Sequence, residues 1–509
     1  MFIKILIAVC CFIPQTEEPT VQFLVKGDGE TIVGTTDQEI LLETSFGHAV
    51  FRAEQIRGIT RKEDEFTIRT AAGDSIKGAI ENQQLVVKTE TGDKTIEFTD
   101  FDSVSVVARA TLTPGEITNG VSANEMSYHL RVPEDFASDK TYNAILILHG
   151  SNMNSKSYVN TIASAWPDIA KRYILIGING ENKSRNFNPD KPAYNYSYVN
   201  FVGKSTYKGY PGTDRESPAL VSEVLAELKE YVPFKKLFVG GHSQGGFLTY
   251  SVMMNYPDQV DGAFPIAGGM IFQVDPTAYA KEDLRKQQRE IPLAIVHASN
   301  DRVVNFGLSE AAHRAFLGDQ FPMLRLVTND TSGHSFAALP VNEAIQWLES
   351  MTTDDADQVV SCARELIGEG KFRDVAGLLA RENLPKLGAD QQQALSDLRT
   401  KLETRASESC EGLLEVIEAN ENGDWVADFY DFRNEFEFTE TAKPIVAAYE
   451  KIKEQHEEPA KKLYGEARKL FQQQKRSEAY EKCTEIVDNY YASTKFMTVK
   501  GWLDNRKDK

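Results

Sequence analysis

The chain has 509 residues, which at roughly 150 residues per domain is enough for about three domains. Apolar residues make up 41% of it and charged residues 26%, a balance that excludes wholesale disorder and fibrous repeats. Asp and Glu outnumber Lys and Arg by 75 to 56, which gives a net charge of −19, and the excess acid is spread along the chain. Because phosphate backbones are bound by clustered Lys and Arg, we expect no nucleic-acid partner.

Residues 1–16 predict a signal peptide. One cation, Lys4, precedes an apolar run of about nine residues that ends before Pro14. A run of this length matches the core of a signal peptide and is too short to span a bilayer. A buried first strand is the alternative interpretation. We therefore expect an exported protein, periplasmic, in the cell envelope or extracellular, without a transmembrane domain.

Residues 20–110 predict a small all-β module. Alternating or β-branched runs, separated by Gly-Asp and Phe-Gly pairs, indicate short strands at 21–25, 39–44, 65–70, 84–89 and 103–107. The segment 30–47 is echoed by 74–92, at an offset of 44 to 45 residues. This repeat suggests two similar β-meanders packed as one small barrel or sandwich. No catalytic constellation is visible here, so we expect a structural or interaction module.

Residues 115–352 predict a doubly wound α/β domain. Continuous apolar runs alternate with amphipathic helical patterns, which is typical of a mostly parallel sheet buried on both faces. The expected strands lie at 144–150, 173–180, 236–243, 262–268, 292–299 and 324–330, and the clearest helices at 217–231, 245–256, 306–317 and 339–350.

Residues 355–509 predict a helical module. The segments 363–380 and 467–484 share the form A-R-x-L, a polar turn with Lys, and a second amphipathic stretch. Paired helices of this form resemble tetratricopeptide-type hairpins, and a generic helical bundle is the alternative. This module is the expected surface for a protein partner. The cysteines of the module (Cys362, Cys410 and Cys483) fit neither a disulfide framework nor a zinc site.

The strongest chemical signal is the run Gly241-His242-Ser243-Gln244-Gly245, which has the form G-x-S-x-G. It follows a predicted strand and opens a predicted helix, which is the context of a nucleophile elbow. Such a turn places the serine at a helix N-terminus, where free N–H groups stabilise negative charge. The pattern therefore predicts Ser243 as a nucleophile, and a tight structural turn is the alternative.

A serine nucleophile needs a base and an orienting acid, which follow it in the order acid, then histidine. Downstream of Ser243 the chain has four histidines: His297, His313, His334 and His456. His334 lies in a Gly-containing loop between the last predicted strand and the last helix of the α/β domain. The other three lie inside a strand, in the middle of a helix and in the C-terminal module. Asp301 follows a strand directly and is the expected acid, with Asp319 and Asp330 as weaker candidates.

The reaction also needs two N–H groups directed at the developing oxyanion. One is expected from Gln244, the residue after the nucleophile. The other is expected from Ser151, which follows the strand ending in His149-Gly150. Gly150 allows the backbone to approach closely, and His149 is expected to hold that loop.

Together these motifs carry a family resemblance. LILHG, GGHSQGG, HASNDRVV and SGHSF stand in the order seen in α/β-hydrolases, and residues 128–350 resemble the carboxylesterase/phospholipase and polyhydroxybutyrate-depolymerase-like serine esterases. The sequence departs from the family at Ala298, where relatives often have Gly, and in the polar loop after Gly150. The resemblance implies that Ser243 is the nucleophile, Asp301 the acid and His334 the base. It also implies that Ser151 and Gln244 supply the oxyanion hole.

Two insertions bear on the substrate. The stretch 179–220 is rich in aromatic residues, among them Tyr194, Tyr196, Tyr198, Phe201, Tyr207 and Tyr210. Such a loop suits a sugar or an aromatic acyl group, and simple packing of the loop is the alternative. The segment 270–291 is expected to form a cap. Because no GxGxxG, P-loop or HExxH motif occurs, we expect no nucleotide, other cofactor or metal.

These observations predict an exported serine hydrolase that cleaves carboxylic esters through an acyl-enzyme. The expected substrate is a small-molecule or polymer-linked ester, with acylated carbohydrates among the candidates. One alternative is a serine peptidase of the same fold, although the N-terminal β segment is far too small for a propeller. A non-catalytic scaffold or binding protein is the other alternative. We also expect residues 115–352 to contain every group that the chemistry requires.

Overall fold

A computed structural model describes residues 21–503 except 28–29, 64, 71–73, 90, 100–102, 186–193, 199–216, 271–283, 382–383, 420–422, 494, 497–498 and 501–502. The predicted signal peptide, most of the aromatic loop and most of the expected cap therefore lie outside the described residues.

The N-terminal module is antiparallel. Its described strands are β1 (Val21–Gly27), β2 (Glu30–Gly34), β3 (Ile40–Thr44), β4 (Gly47–Phe51), β5 (Ile56–Lys62), β6 (Glu65–Thr70), β7 (Ser75–Ile80), β8 (Gln84–Thr89), β9 (Gly92–Glu97) and β10 (Ser103–Ala108). The five runs expected from the sequence correspond to β1, β3, β6, β8 and β10.

The first five strands and the next five form two equivalent halves. Strand β1 pairs with β2 and β10, and in the same way β6 pairs with β7 and β5. The hairpin β3–β4 corresponds to β8–β9, and their turns place Gly47 and Gly92 at φ of 124° and 121°. Ile59 and Val104, which the repeat relates, both lie in one apolar core. Each half thus pairs its first strand with the last strand of the other half.

The α/β domain contains helices and strands in alternation. Its described strands are β11 (Ile117–Val121), β12 (Ser127–Arg131), β13 (Tyr142–Leu148), β14 (Tyr173–Ile178), β15 (Asn182–Arg185), β16 (Tyr194–Ser197), β17 (Phe234–His242), β18 (Gly262–Ile266), β19 (Leu293–Ala298) and β20 (Leu324–Asn329). Its described helices are α1 (Ser155–Ala165), α2 (Pro167–Arg172), α3 (Ser217–Lys229), α4 (Gln244–Asn255), α5 (Arg285–Glu290), α6 (Gly307–Gly318) and α7 (Val341–Thr352).

The main sheet has the order β20-β19-β18-β17-β13-β14-β12-β11, and it continues into β10 through the pair Ala108 and Val121. Strands β14, β13, β17 and β18 are parallel, whereas β12 is antiparallel to β14 and β11. Every residue of β14 and β19 is buried, which explains the continuous apolar runs in the sequence. The α/β-hydrolase fold class and the six expected strands are confirmed, and the β11–β12 hairpin was not predicted.

The C-terminal region is helical where it is described. Its helices are α8 (Ala356–Gly368), α9 (Phe372–Ala380), α10 (Ala389–Ser409), α11 (Leu413–Ala419), α12 (Val426–Phe436), α13 (Ala442–Gln472) and α14 (Arg476–Asn489). None of the helices in the described part of the chain is long and apolar enough to cross a membrane.

The two segments that share A-R-x-L each form a helical hairpin, and the two hairpins have the same turn geometry. In the turn between α8 and α9, the N–H of Lys371 binds the carbonyl of Leu366 at 2.8 Å, and between α13 and α14 Lys475 binds Leu470 at 2.9 Å. The residue before each lysine has a positive φ, 71° in the first turn and 62° in the second. The sequence similarity thus reflects a repeated turn geometry.

The chain divides into two compact units. One runs from the β module to Leu284 and adds Ile295–Ala312 and Leu326–Ile345, and the other comprises Arg285–Ala294, His313–Arg325 and the chain from Gln346 onward. The first unit contains all five residues of the expected site.

Candidate active site

Ser243 occupies a strained turn between β17 and α4. Its backbone has φ 55° and ψ −117°, a conformation that a residue with a side chain adopts only when the surrounding structure imposes it. A Cβ atom on Gly241 would overlap the carbonyl oxygen of Gly245, and one on Gly245 would overlap that of Leu148. The two glycines of the motif are therefore required by close backbone approach, as expected for a nucleophile elbow.

Asp301 and His334 form a hydrogen-bonded pair. Asp301 follows β19, His334 follows β20, and Nδ1 of His334 lies 2.6 Å from Oδ2 of Asp301. The other carboxylate oxygen accepts the N–H groups of Val303 and Val304 at 2.7 and 3.1 Å. Burial tends to raise the pKa of Asp301, but His334 and these backbone donors outweigh it and lower the pKa below its ordinary value. The carboxylate is fully buried, whereas the His334 side chain is 18% exposed.

Two hydrogen bonds join the loop after β19 to the end of β20 and the loop that follows it. The N–H of Gly333 donates to Oδ1 of Asn300 at 2.8 Å, and Gly333 has φ 56°. The N–H of Ser299 also binds the carbonyl of Asn329 at 2.7 Å. The position of His334 therefore depends on Asn300, a residue that the sequence did not single out.

An aromatic cluster lies against the histidine. The rings of His242 and His334 have centroids 4.5 Å apart, and Nδ1 of His242 lies 2.8 Å from the hydroxyl of Tyr158. Phe336 stacks on Tyr158 at 4.8 Å. Burial is the main reason that the pKa of His242 is lowered to about 3, so this imidazole is neutral at pH 7. Because His242 precedes Ser243 in the chain, the cluster brings Ser243 and His334 close to each other.

The loop after β13 lies beside Ser243. A Cβ atom on Gly150 would lie 3.4 Å from Cβ of Ser243. Nδ1–H of His149 donates to the carbonyl of Gly150 at 2.8 Å, and Nε2 accepts the N–H of Gly180 at 3.0 Å. Because C=O and N–H point in opposite directions across a trans peptide, this bond directs the N–H of Ser151 away from His149. Burial lowers the pKa of His149 to about 4, which keeps it in this neutral tautomer.

The side chain of Gln244 makes two hydrogen bonds that the sequence did not predict. Its side-chain oxygen accepts the N–H of Tyr198 at 3.0 Å, and its amide donates to the carbonyl of Tyr198 at 2.8 Å. The buried Tyr198 hydroxyl donates to the carbonyl of Ile178 at 2.7 Å. Tyr198 thus packs the insertion onto the domain. Tyr194 and Tyr196 lie on β16, whereas Phe201, Tyr207 and Tyr210 lie outside the described residues.

The weaker candidates lie elsewhere. Asp319 pairs with Arg289 at 3.1 Å, and Asp330 is exposed at the end of β20. His313 lies in α6 and His456 in α13. His297 does contact the expected acid, since its Nε2 lies 3.1 Å from Oδ2 of Asp301. The described residues contain no group of three or more His, Cys, Asp or Glu side chains arranged to hold a metal.

Comparison with known proteins finds its similarities in the α/β domain. A family model described as phospholipase/carboxylesterase matches residues 136–351. Acyl-protein thioesterase 1 homolog 2 of Dictyostelium discoideum is 23% identical over 228 residues, which cover 42% of this chain and 96% of that protein. Acyl-protein thioesterase 1 of Eremothecium gossypii is 24% identical over 137 residues, or 26% of this chain and 56% of that protein. The solved structure of Zea mays acyl-protein thioesterase 2 covers 44% of this chain and 97% of that one, with 18% identity and a TM-score of 0.34.

Residues 136–351 are thus an esterase domain of the α/β-hydrolase superfamily, and the protein is a carboxylic ester hydrolase. The family resemblance and the enzyme class expected from the sequence are confirmed. The family match favours this assignment over the peptidase and scaffold alternatives.

Proposed function

We propose that the protein hydrolyses carboxylic esters through an acyl-enzyme formed on Ser243. The hydroxyl oxygen of Ser243 attacks the ester carbonyl while His334 takes the hydroxyl proton. His334 then gives this proton to the leaving alcohol. Asp301 orients His334 and stabilises its protonated form, and the N–H groups of Ser151 and Gln244 bind the oxyanion. A water molecule then attacks the carbonyl of the acyl-enzyme. His334 takes the proton of this water and gives it to the oxygen of Ser243, which releases the carboxylic acid.

One observation carries this proposal: a strained serine follows β17, and a hydrogen-bonded Asp–His pair follows β19 and β20 of the same sheet, with the ring of His334 against that of His242, the neighbour of Ser243. The bond from His334 to Asp301 at 2.6 Å supports the direction of proton transfer, because it leaves Nε2 of His334 as the nitrogen that can act on the serine. The short distance between Gly150 and Ser243 supports the proposed position of the oxyanion hole beside the serine.

A fluorophosphonate probe with mass-spectrometric mapping of the labelled residue tests the assignment. We expect labelling at Ser243, competition by a short-chain ester, and no labelling of the Ser243→Ala variant. Labelling at another serine would overturn the proposal, and so would full ester hydrolysis by the variant.

The nature of the leaving group separates two candidate substrates. The curated relatives are named acyl-protein thioesterases, which favours a thioester. A bifunctional acetylxylan esterase/xylanase of Neocallimastix patriciarum is 30% identical over 88 residues, 17% of this chain and 12% of that protein, and it favours an acylated sugar. Measuring kcat/KM for matched acyl-thio and acyl-oxy esters, and for acetylated xylan oligomers, ranks the two.

We also propose that the protein is exported. The proposal is supported by the cation and short apolar run of residues 1–16. Cell fractionation and intact-mass measurement of the purified protein test it. A mature chain that retains Met1 and stays with the cytoplasmic fraction would overturn export.

A further inference from the structure

His297 is a buried histidine that the proposed mechanism leaves without a role. It is fully buried near the end of β19, and its Nε2 lies 3.1 Å from Oδ2 of Asp301 and 3.2 Å from the carbonyl oxygen of Val304. Both partners are acceptors, so Nε2 carries a proton. His297 is therefore a donor to the same carboxylate oxygen that receives His334.

The other nitrogen of His297 is also held. Its Nδ1 lies 2.7 Å from the hydroxyl oxygen of Ser309, which in turn lies 2.9 Å from the carbonyl oxygen of Gly268. Burial lowers the pKa of His297 against the opposing pull of Asp301, which favours the neutral ring. The two acceptors at Nε2 fix the tautomer that donates from this nitrogen, and the hydroxyl group of Ser309, which donates to the carbonyl of Gly268, lies against Nδ1 and holds the ring in place.

We propose that His297 is a positioning residue for catalysis: its Nε2–H holds the Asp301 carboxylate in place and shares the negative charge that His334 receives. This inference rests on the proposed function. Asp301 has four donors, two backbone N–H groups on Oδ1 and two imidazoles on Oδ2. When one of the two imidazole donors on Oδ2 is removed, the negative charge of the Asp301 carboxylate acts more strongly on the donor that remains, His334.

The consequence is a shift in the pH dependence of catalysis. Without the His297 donor, the carboxylate holds a proton on His334 more tightly, and the free base forms only at higher pH. The acid limb of kcat/KM against pH then moves to higher pH. His242 also packs against His334, but its low pKa keeps it neutral over this range, so it does not account for the limb.

Two amide variants provide a matched test in the full-length protein. In His297→Gln the amide nitrogen can take the place of Nε2 and donate to Asp301. In His297→Asn the amide reaches only the place of Nδ1, so it keeps the Ser309 contact and loses the Asp301 donor. Glutamine and asparagine carry the same amide group, so a general loss of stability would change the activity of the two variants in the same way.

We expect His297→Asn to move the acid limb upward by about half a pH unit or more and to lower kcat about tenfold, with KM little changed. We expect His297→Gln to restore the limb close to that of the wild type. Equal profiles for the two variants, or a His297→Asn profile identical to that of the wild type, would overturn the positioning role.

Two further variants separate this inference from the proposed function. If Ser243→Ala and Asp301→Asn are inactive while His297→Asn behaves as the wild type, the triad stands and only the inference fails. If Asp301→Asn keeps full activity, the triad itself is wrong. Ser309→Ala adds an independent arm: because the His297 ring loses its contact at Nδ1, the variant should produce a smaller shift in the same direction, and a shift in the opposite direction would overturn the positioning role.

Discussion

The rings of His242 and His334 lie 4.5 Å apart, so the residue next to the nucleophile packs on the histidine proposed as its base. This contact joins the elbow after β17 to the loop after β20. A neutral His242 can lie there without electrostatic repulsion when His334 takes up a proton. The buried histidines of the site therefore make the fold sensitive to acid.

We predict that stability falls between pH 6.5 and about 3. His149 and His242 have folded-state pKa values of about 4 and 3, below the ordinary 6.5, so below pH 6.5 the unfolded chain binds protons that the folded chain does not. Each histidine then costs ~2 kcal/mol of the free energy of unfolding at pH 5. Urea denaturation at pH 7 and pH 5 measures the loss. His149→Gln should reduce the difference between the two pH values, and an unchanged difference would contradict the prediction.

Ser243→Ala is expected to lower kcat for ester hydrolysis by about 10⁴-fold or more, because only the attacking hydroxyl is lost. The melting temperature should not fall, since the strained backbone conformation tolerates alanine no worse than serine. Ser164→Ala, on the exposed surface of α1, is the matched control and should keep full activity.

Asp301→Asn is expected to lower kcat by about 10⁴-fold, because the amide keeps the shape but does not stabilise protonated His334. Asp330→Asn is the comparison, since that carboxylate is exposed and lies only four residues before His334. Steady-state kinetics on a short-chain aryl ester measures both. A larger effect at Asp330 would show that the acid has been assigned to the wrong residue.

A chain of residues 115–352 is expected to hydrolyse a small soluble ester but to melt at a lower temperature than the full-length protein. It retains all five site residues. However, Arg373 of α9 donates to the carbonyl of Phe321 at 2.6 Å, and the buried side chains of Phe321 and Met323 belong to the same unit as α9. Gly377 of α9 lies against the side chain of Met323, and exposing that side chain forfeits roughly 2 kcal/mol.

A longer chain of residues 115–380 keeps α8 and α9 and is the matched control. It should regain part of the lost melting temperature, as measured by calorimetry. If the shorter chain folds and yet loses most activity on the small ester, a flanking module completes the active site and the division at residue 352 is wrong.

The sequence predicted the positions of Ser243, Asp301 and His334 because each follows a recognisable buried strand. Parallel strands end at one edge of the sheet, so strand order alone places such residues near one another. The contacts that join them were not predictable in the same way. Asn300 and Tyr158 act through hydrogen bonds to residues 33 and 84 positions away, and no local pattern reports such pairs.

His297 illustrates the opposite difficulty. It lies within a run of buried strand residues, where a histidine reads as part of the core, and only the side-chain distances relate it to Asp301. In the β module, β9 was not expected as a strand because all its residues are exposed or half-buried and most of them are polar. Strand β7 alternates between exposed and half-buried residues, but Gly78 and Ala79 weaken the β-branched composition that indicates a strand.

The pairing of β1 with β10 has a consequence for the order of events during synthesis. The first strand leaves the ribosome more than 70 residues before its partner, while β5, the equivalent of β10, is already available. Strand β1 can therefore pair transiently with β5. Because β5 pairs with β6 in the folded module, β1 must separate from β5 once β6 has been synthesised. Long-range closure of this kind is slow, and the exposed edge is open to exchange with a second chain. Refolding of the module should thus show a slow phase and, at high protein concentration, strand-exchanged dimers.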